Sequence, residues 1–175
     1  PAALLTVIDA VFGKDTTPKT RVLGLKLINS IFDKATDAAI KSTGAVLLTK
    51  LLGLLNDPSL PNDVQALAYA AVGRLAKRLP QQFHDNVQLL ERFFEASCGC
   101  PPETRAHILE ALSMMYRHYA HPGPAAALRL IALLNKFVTR EEPHARLLAV
   151  QFANVVFAKS DMPSRFVCLL AAGDN

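Results

Sequence analysis

The chain has 175 residues, of which 51% are hydrophobic, and this composition excludes an intrinsically disordered protein. The 19 lysines and arginines exceed the 15 acidic residues by only four, so the charge density is far below that of a dedicated nucleic-acid-binding domain. The three cysteines are an odd count, which argues against a disulfide framework and favours a reducing compartment.

Apolar residues recur at three- and four-residue steps through most of the chain, which is the spacing of helices with one buried face. Short turns rich in glycine, proline or asparagine separate these segments. We predict helices, in chain order, over residues 2–12, 18–34, 37–56, 62–79, 82–97, 102–119, 125–139 and 142–158. Asp37 is expected to cap the third helix, and Ser164 to cap a further helix. No apolar run reaches about 18 residues, so we expect no insertion into a membrane.

One helix of each successive pair carries the same arrangement of residues. Its anchor is a polar side chain that occurs four times, at Arg21, Gln65, Arg105 and Arg146. Successive anchors are separated by 44, 40 and 41 residues. This period is typical of HEAT and armadillo repeats, in which antiparallel helix pairs stack side by side.

Four further columns accompany the anchor, three of them at a fixed distance and the proline column to within one residue. A proline that starts the helix precedes it by three or four residues, at Pro18, Pro61, Pro102 and Pro143. The residue three positions after it is small in three of four copies: Gly24, Ala68, Ile108 and Ala149. The residue ten positions after it is apolar and predicted to be core: Ile31, Leu75, Met115 and Val156. The residue thirteen positions after it is basic or titratable to basic: Lys34, Arg78, His118 and Lys159.

The repeat predicts an all-α fold, an α-α superhelix or HEAT-repeat solenoid with about four helix pairs and the start of a fifth. We expect one domain, 1–175, with its pairs at residues 1–35, 36–80, 81–120 and 123–160, and the next pair beginning over 164–175. Neither end carries a polar capping helix, so we expect the chain to be a segment of a longer protein.

The basic column is the main candidate for a binding site. Equivalent positions of stacked repeats fall in a row, which would form a positive ridge for an acidic protein surface. The ridge would consist of Lys34, Lys77, Arg78, Arg117, His118 and Lys159. The alternative is a set of independent cations that each stabilise a helix C-terminus. Binding of nucleic acid is less favoured, because no exposed aromatic column interleaves the charges.

No residue pattern predicts catalysis, a cofactor or a metal. Cys98 and Cys100 have one residue between them, whereas paired zinc ligands usually have two to four. Ser97 has His84 and Asp85 nearby in sequence, but no nucleophile elbow accompanies them. We therefore expect a protein that is not an enzyme.

Two stretches go beyond a general helical repeat: VQALAYAAVGRLAKRLP at Val64–Pro80 and SRFVCLLAAGDN at Ser164–Asn175. Both resemble the large HEAT-repeat adaptor and scaffold proteins of the proteasome. The resemblance implies a non-catalytic adaptor that tethers the proteasome core particle to the regulatory particle and acts in quality control of assembly. It also implies a cytoplasmic location, with the nucleus as a second one. The alternatives are a HEAT scaffold of the nuclear-transport-receptor or phosphatase type, and a nucleic-acid-binding helical repeat.

Overall fold

The structure is a computed structural model that describes residues 2–158, with side chains from residue 6 onward. Within that range it contains α-helices, one short 3-10 helix and no strand, which confirms the predicted all-α helical-repeat fold. The α-helices are α1 (Ala2–Phe12), α2 (Pro18–Lys34), α3 (Asp37–Leu54), α4 (Asn62–Arg78), α5 (Pro80–Phe83), α6 (Val87–Gly99), α7 (Pro102–Met115), α8 (Pro124–Val138) and α9 (Pro143–Ala158). The 3-10 helix is Tyr116–Tyr119. None of the described helices combines the length and apolar character needed to cross a membrane.

The repeated helices begin where their prolines predict. Pro18, Pro102 and Pro143 are the first residues of α2, α7 and α9, and Pro61 immediately precedes α4. A helix leaves its first N–H groups without an intrahelical acceptor, so proline loses nothing at that position.

Threonine side chains cap the N-termini of α2 and α3. Thr17 accepts a hydrogen bond from the backbone N–H of Thr20 at the start of α2. Thr36 accepts one from the N–H of Ala39 in α3. The cap of α3 is therefore Thr36, and the prediction of Asp37 was wrong by one residue. Asp37 lies in the first turn instead, where its negative charge is also favourable.

The helix predicted over residues 82–97 is interrupted. The chain forms α5, leaves the helical conformation at Asp85, where φ is 60°, and enters α6 two residues later. Asp85 tolerates this left-handed conformation better than most residues, and both of its carboxylate oxygens accept the N–H of Gly123 at 3.2 Å. Asn86 then accepts the N–H of Leu89 and caps α6.

The described chain divides into two compact units. The first unit contains, of the described residues, 2–82 and 99–114. In it α2 packs against α1 and α4, and α3 packs against α4. Gly73 of α4 faces Ala111 of α7 so closely that a β-carbon built on Gly73 would lie 2.6 Å from the Ala111 Cα. The repeated helices α2, α4 and α7 are therefore neighbours in this unit, as the repeat predicts.

The second unit contains, of the described residues, 83–98 and 115–158. Its core is a cluster of aromatic rings around Phe152 of α9, whose side chain is fully buried. The centroid of the Phe152 ring lies 5.6 Å from Phe94, 4.8 Å from Tyr116 and 6.0 Å from Tyr119, in each case edge to face. Phe94 also meets Phe137 of α8 edge to face at 5.0 Å. One phenylalanine ring thus joins α6, α9 and the 3-10 helix.

The arrangement of the chain as one solenoid domain stays a prediction. The start of a fifth pair, predicted over residues 164–175, lies outside the described residues, as does the predicted cap Ser164.

Candidate functional site

The four anchor side chains share one function in the structure. Each donates hydrogen bonds to backbone carbonyl oxygens of the turn that leads into its own helix or, for Val11, of the end of the preceding helix. The bonds run from Arg21 to Val11 and Gly13, from Gln65 to Leu60, from Arg105 to Cys100, and from Arg146 to Arg140 and Glu141. Donor–acceptor distances are 2.7–3.2 Å. The most regular polar column of the sequence therefore fixes turns of the fold.

The predicted basic residues of the first unit have different environments. Lys34 and Lys77 are exposed. The Arg78 guanidinium donates to the carbonyl oxygen of Phe32 at 2.8 Å and to that of Ala35, and its Nε lies 2.7 Å from the Asp37 carboxylate. Arg78 therefore binds carbonyl groups that the C-terminus of α2 leaves without an intrahelical donor.

Replacing Arg78 with alanine is expected to lower the free energy of unfolding of the first unit by about 1.5–3 kcal/mol, because charged hydrogen bonds to two carbonyl groups are lost. Most of this loss comes from the carbonyl groups, since Asp37 is 72% exposed and an exposed ion pair contributes little. The measurement is hydrogen exchange of α2 and α4 amides by mass spectrometry. Lys34→Ala is the matched control from the same column and should change stability by less than about 0.5 kcal/mol. Equal effects of the two substitutions would contradict this interpretation of Arg78.

The predicted basic residues of the second unit also differ from one another. Arg117 is exposed, whereas His118 is only 7% exposed and stacks on Phe83 with 6.0 Å between ring centroids. Both lie in the 3-10 helix, because the predicted helix over residues 102–119 changes its hydrogen-bonding pattern after Met115. Lys159 lies outside the described residues. A role of the six residues in binding a partner stays a prediction.

The first unit also contains a feature that the sequence analysis missed. A groove runs along α4 between α2 and α7; it holds two adjoining cavities of about 590 Å³ and 320 Å³, and we call it the α4 groove. Lys26, Leu67 and His107 line both cavities. The small side chains of Ala66 and Ala70 leave the space above α4 open. Alternation of small residues along α4 could have indicated the groove, but the sequence does not show which of its faces is covered.

The two sides of the α4 groove carry opposite charges. Lys26 and Lys34 of α2 line one side, and Glu103 and Glu110 of α7 line the other. Between them, the Nε of Arg74 lies 3.1 Å from both carboxylate oxygens of Asp33 and joins α4 to α2. Asp63 of α4 also lines the larger cavity, so the base is partly apolar and partly polar, with an excess of positive charge on the α2 side and of negative charge on the α7 side.

A separate cluster of charges joins α6 to α8 in the second unit. The Nζ of Lys136 lies 2.7 Å from Glu91 and 2.8 Å from Glu95, and Arg140 lies 2.9 Å from Glu95. Burial by itself would raise the pKa of Glu95. The hydrogen bonds from Lys136 and Arg140 act in the opposite direction and leave the pKa below its ordinary value of 4.5.

This lowered pKa predicts a loss of stability in acid. A carboxyl group with a lower pKa in the folded state stabilises the fold above its unfolded pKa, and that contribution disappears as the pH falls through the folded pKa. We expect the α6 and α8 amides to lose protection between about pH 5 and pH 3, and the loss to be smaller in Glu95→Gln. Glu141→Gln, at an exposed position of the same unit, is the control and should keep the wild-type pH profile. An unchanged profile in Glu95→Gln would contradict the assignment.

The residues considered for catalysis or metal binding have ordinary environments. The Ser97 hydroxyl is buried and donates to the carbonyl oxygen of Phe94 at 2.7 Å, and His84 Nδ1 lies 3.4 Å from the Asp85 carboxylate. Cys98 and Cys100 are not part of a disulfide in the described part of the chain. Burial raises the pKa of Tyr116 to about 12, so its hydroxyl stays protonated at neutral pH. Among the described residues, no three His, Cys, Asp or Glu side chains come together in a way that could hold a metal ion.

Comparison with known proteins connects these features to a family. The family model described as "Proteasome component ECM29, N-terminal" matches residues 1–171. The human protein named "Proteasome adapter and scaffold protein ECM29" is 38% identical over 174 residues, which is 99% of this chain and 9% of the human protein.

Two more distant relatives show the same relationship. The Drosophila melanogaster protein named "Proteasome-associated protein ECM29 homolog" is 30% identical over 118 residues, 67% of this chain and 6% of that protein. The Schizosaccharomyces pombe protein named "Proteasome component ecm29" is 28% identical over 141 residues, 79% of this chain and 8% of that protein. The chain thus spans less than a tenth of the length of each of these relatives.

Proposed function

The chain belongs to the family described as proteasome component ECM29, N-terminal, and from this premise we propose that it is a non-catalytic scaffold segment that binds proteins of the proteasome. The names of the human and fly relatives describe adapter and scaffold function and association with the proteasome. Within the proposal, the segment contributes to tethering the core particle to the regulatory particle. Its location is the cytoplasm, and the nucleus as well.

The observation that carries the proposal is the packing of α2, α4 and α7 next to one another in the first unit. Neighbouring helices of a stacked repeat bury their apolar faces against each other and leave their remaining faces as a continuous binding surface. Here that surface includes the α4 groove and two exposed leucines of α2, Leu23 and Leu27, which are 60% and 47% exposed. An extended surface of this kind suits another protein better than a small substrate.

The same proposal gives the chain no catalytic role. An active site generally needs convergent titratable groups whose pKa values are shifted towards neutral pH. Burial moves the pKa of Tyr116 away from neutral, to about 12, and the Ser97 hydroxyl donates to a backbone carbonyl oxygen. The predicted basic ridge belongs to the proposal as a second contact surface, with the exposed residues Lys34 and Arg117 as its first candidates for charge reversal.

The proposal is tested by binding to purified proteasome particles. The protein is immobilised, and the core particle, the regulatory particle and the assembled proteasome are each passed over it at physiological salt. We expect at least one of the three to be retained, and a large fragment of duplex DNA not to be retained. Failure of all three particles to bind would contradict the proposed function, whereas salt-sensitive binding of the DNA would favour the nucleic-acid alternative.

A further inference from the structure

We propose that the α4 groove is the docking site for one amphipathic helix of a proteasome subunit, and this inference rests on the proposed function. The helix would carry an apolar stripe of small and medium side chains, with carboxylates along one edge and lysines or arginines along the other. Its stripe would lie on Ala66 and Ala70, its acidic edge next to Lys26 of α2, and its basic edge next to Glu103 and Glu110 of α7.

The dimensions of the groove fit a helix of three to four turns. The lining residues of α4 extend from Asn62 to Arg74, and the rise of 1.5 Å per residue in a helix makes this about 18 Å. A bound helix of about 12 residues has that length.

The walls also favour a helix over an extended peptide. They are side faces of α2, α4 and α7, whose backbone N–H and C=O groups are already paired within each helix. An extended peptide would find no backbone ladder there and would leave its own backbone groups unpaired. A helix satisfies its backbone internally and can bind through side chains alone.

Asn29 lies at the floor of the groove, between α2 and α4. Its side chain is only 7% exposed and lines the smaller cavity. Its Nδ2 donates to the carbonyl oxygens of Leu25 and Leu67, but its Oδ1 is buried and has no hydrogen-bond partner among the described residues. A buried acceptor without a donor is unfavourable. The two Nδ2 bonds, one within α2 and one to α4, join the two helices and fix the floor of the smaller cavity, on which the docked helix would lie.

The first test locates the contact. A photo-crosslinking amino acid is placed at Ala70 in the groove, and in a control protein at Val46, which is 58% exposed on α3 of the same unit. Each protein is irradiated with the purified core and regulatory particles, and crosslinked peptides are identified by mass spectrometry. We expect Ala70, and not Val46, to crosslink to a helical segment with an apolar stripe between an acidic and a basic edge. Crosslinks from Val46 alone, or from Ala70 to a segment without this pattern, would overturn the proposal.

The second test measures how reversing single charges of the groove changes the affinity for the particle. Lys26→Glu and Glu110→Lys should each weaken binding of the particle by about tenfold or more, because each places like charges together at the contact. Lys41→Glu, on the exposed part of α3, is matched to Lys26→Glu in net charge and should stay within about twofold of wild type. If wild type binds and both groove variants bind equally well, the groove proposal is overturned while the proposed function stands. If wild type binds none of the particles, both are overturned.

Discussion

Replacing Phe152 with alanine is expected to lower the free energy of unfolding of the second unit by about 3–5 kcal/mol, the largest effect of any substitution considered for this chain. The side chain is fully buried, and its ring contacts three other aromatic rings on α6 and the 3-10 helix. Truncation to alanine loses the transfer free energy of the ring and leaves a cavity. The edge-to-face geometry adds about 0.5–1.5 kcal/mol for each well-placed pair beyond the buried area.

The measurement is hydrogen exchange of α6 and α9 amides by mass spectrometry. Leu147→Ala is the matched control, because Leu147 lies on the same helix but is 57% exposed. It should change stability by less than about 0.5 kcal/mol. Comparable loss of protection in the two variants would mean that the aromatic cluster is not the core of the second unit.

Replacing Gly73 with leucine is expected to cost the first unit about 3 kcal/mol. A β-carbon at Gly73 would meet the Ala111 backbone at 2.6 Å and the Ala111 side chain at 2.7 Å. Backbone atoms cannot rotate away as a flexible side chain can, so α4 and α7 would have to separate. The expected result is a loss of protection in the amides of both helices, which hydrogen exchange measures directly.

Gly53→Ala is the matched control for Gly73→Leu. A β-carbon at Gly53, near the end of α3, would have no neighbouring atom within 4 Å. Since glycine is a poor helix former, alanine should leave stability unchanged or raise it by about 0.5 kcal/mol. Full protection of α7 in Gly73→Leu would show that α4 and α7 can separate without cost, and would also remove the close packing that shapes the α4 groove.

The sequence was sufficient to predict the elements that depend on local chemistry. Proline positions and apolar periodicity placed the starts of α2, α4, α7 and α9 to within one residue, because a helix start is decided by its own first turn. The column ten residues after the anchor predicted buried positions correctly at Leu75, Met115 and Val156, while Ile31 is half-buried.

Features that depend on residues far apart in sequence could not be predicted in this way. The break at Asp85 depends on Gly123, which lies 38 residues further along the chain. The environment of Arg78 depends on carbonyl groups 43 and 46 residues earlier, so its basic character alone suggested an exposed helix end. The α4 groove is formed by three helices from three repeats. Its charges are visible in the sequence, but their placement on opposite sides is not.

The anchor side chains have a consequence for how such an array can grow. Each one binds carbonyl groups that precede it by ten residues or fewer, so all the groups that fix a turn are encoded in one short stretch of the gene. A duplicated copy of that stretch would already contain every group that fixes its turn. Only the helix faces that meet new neighbours would have to change. Evolution by tandem duplication is thereby simplified, and pairwise identity between copies can decay while the bends persist.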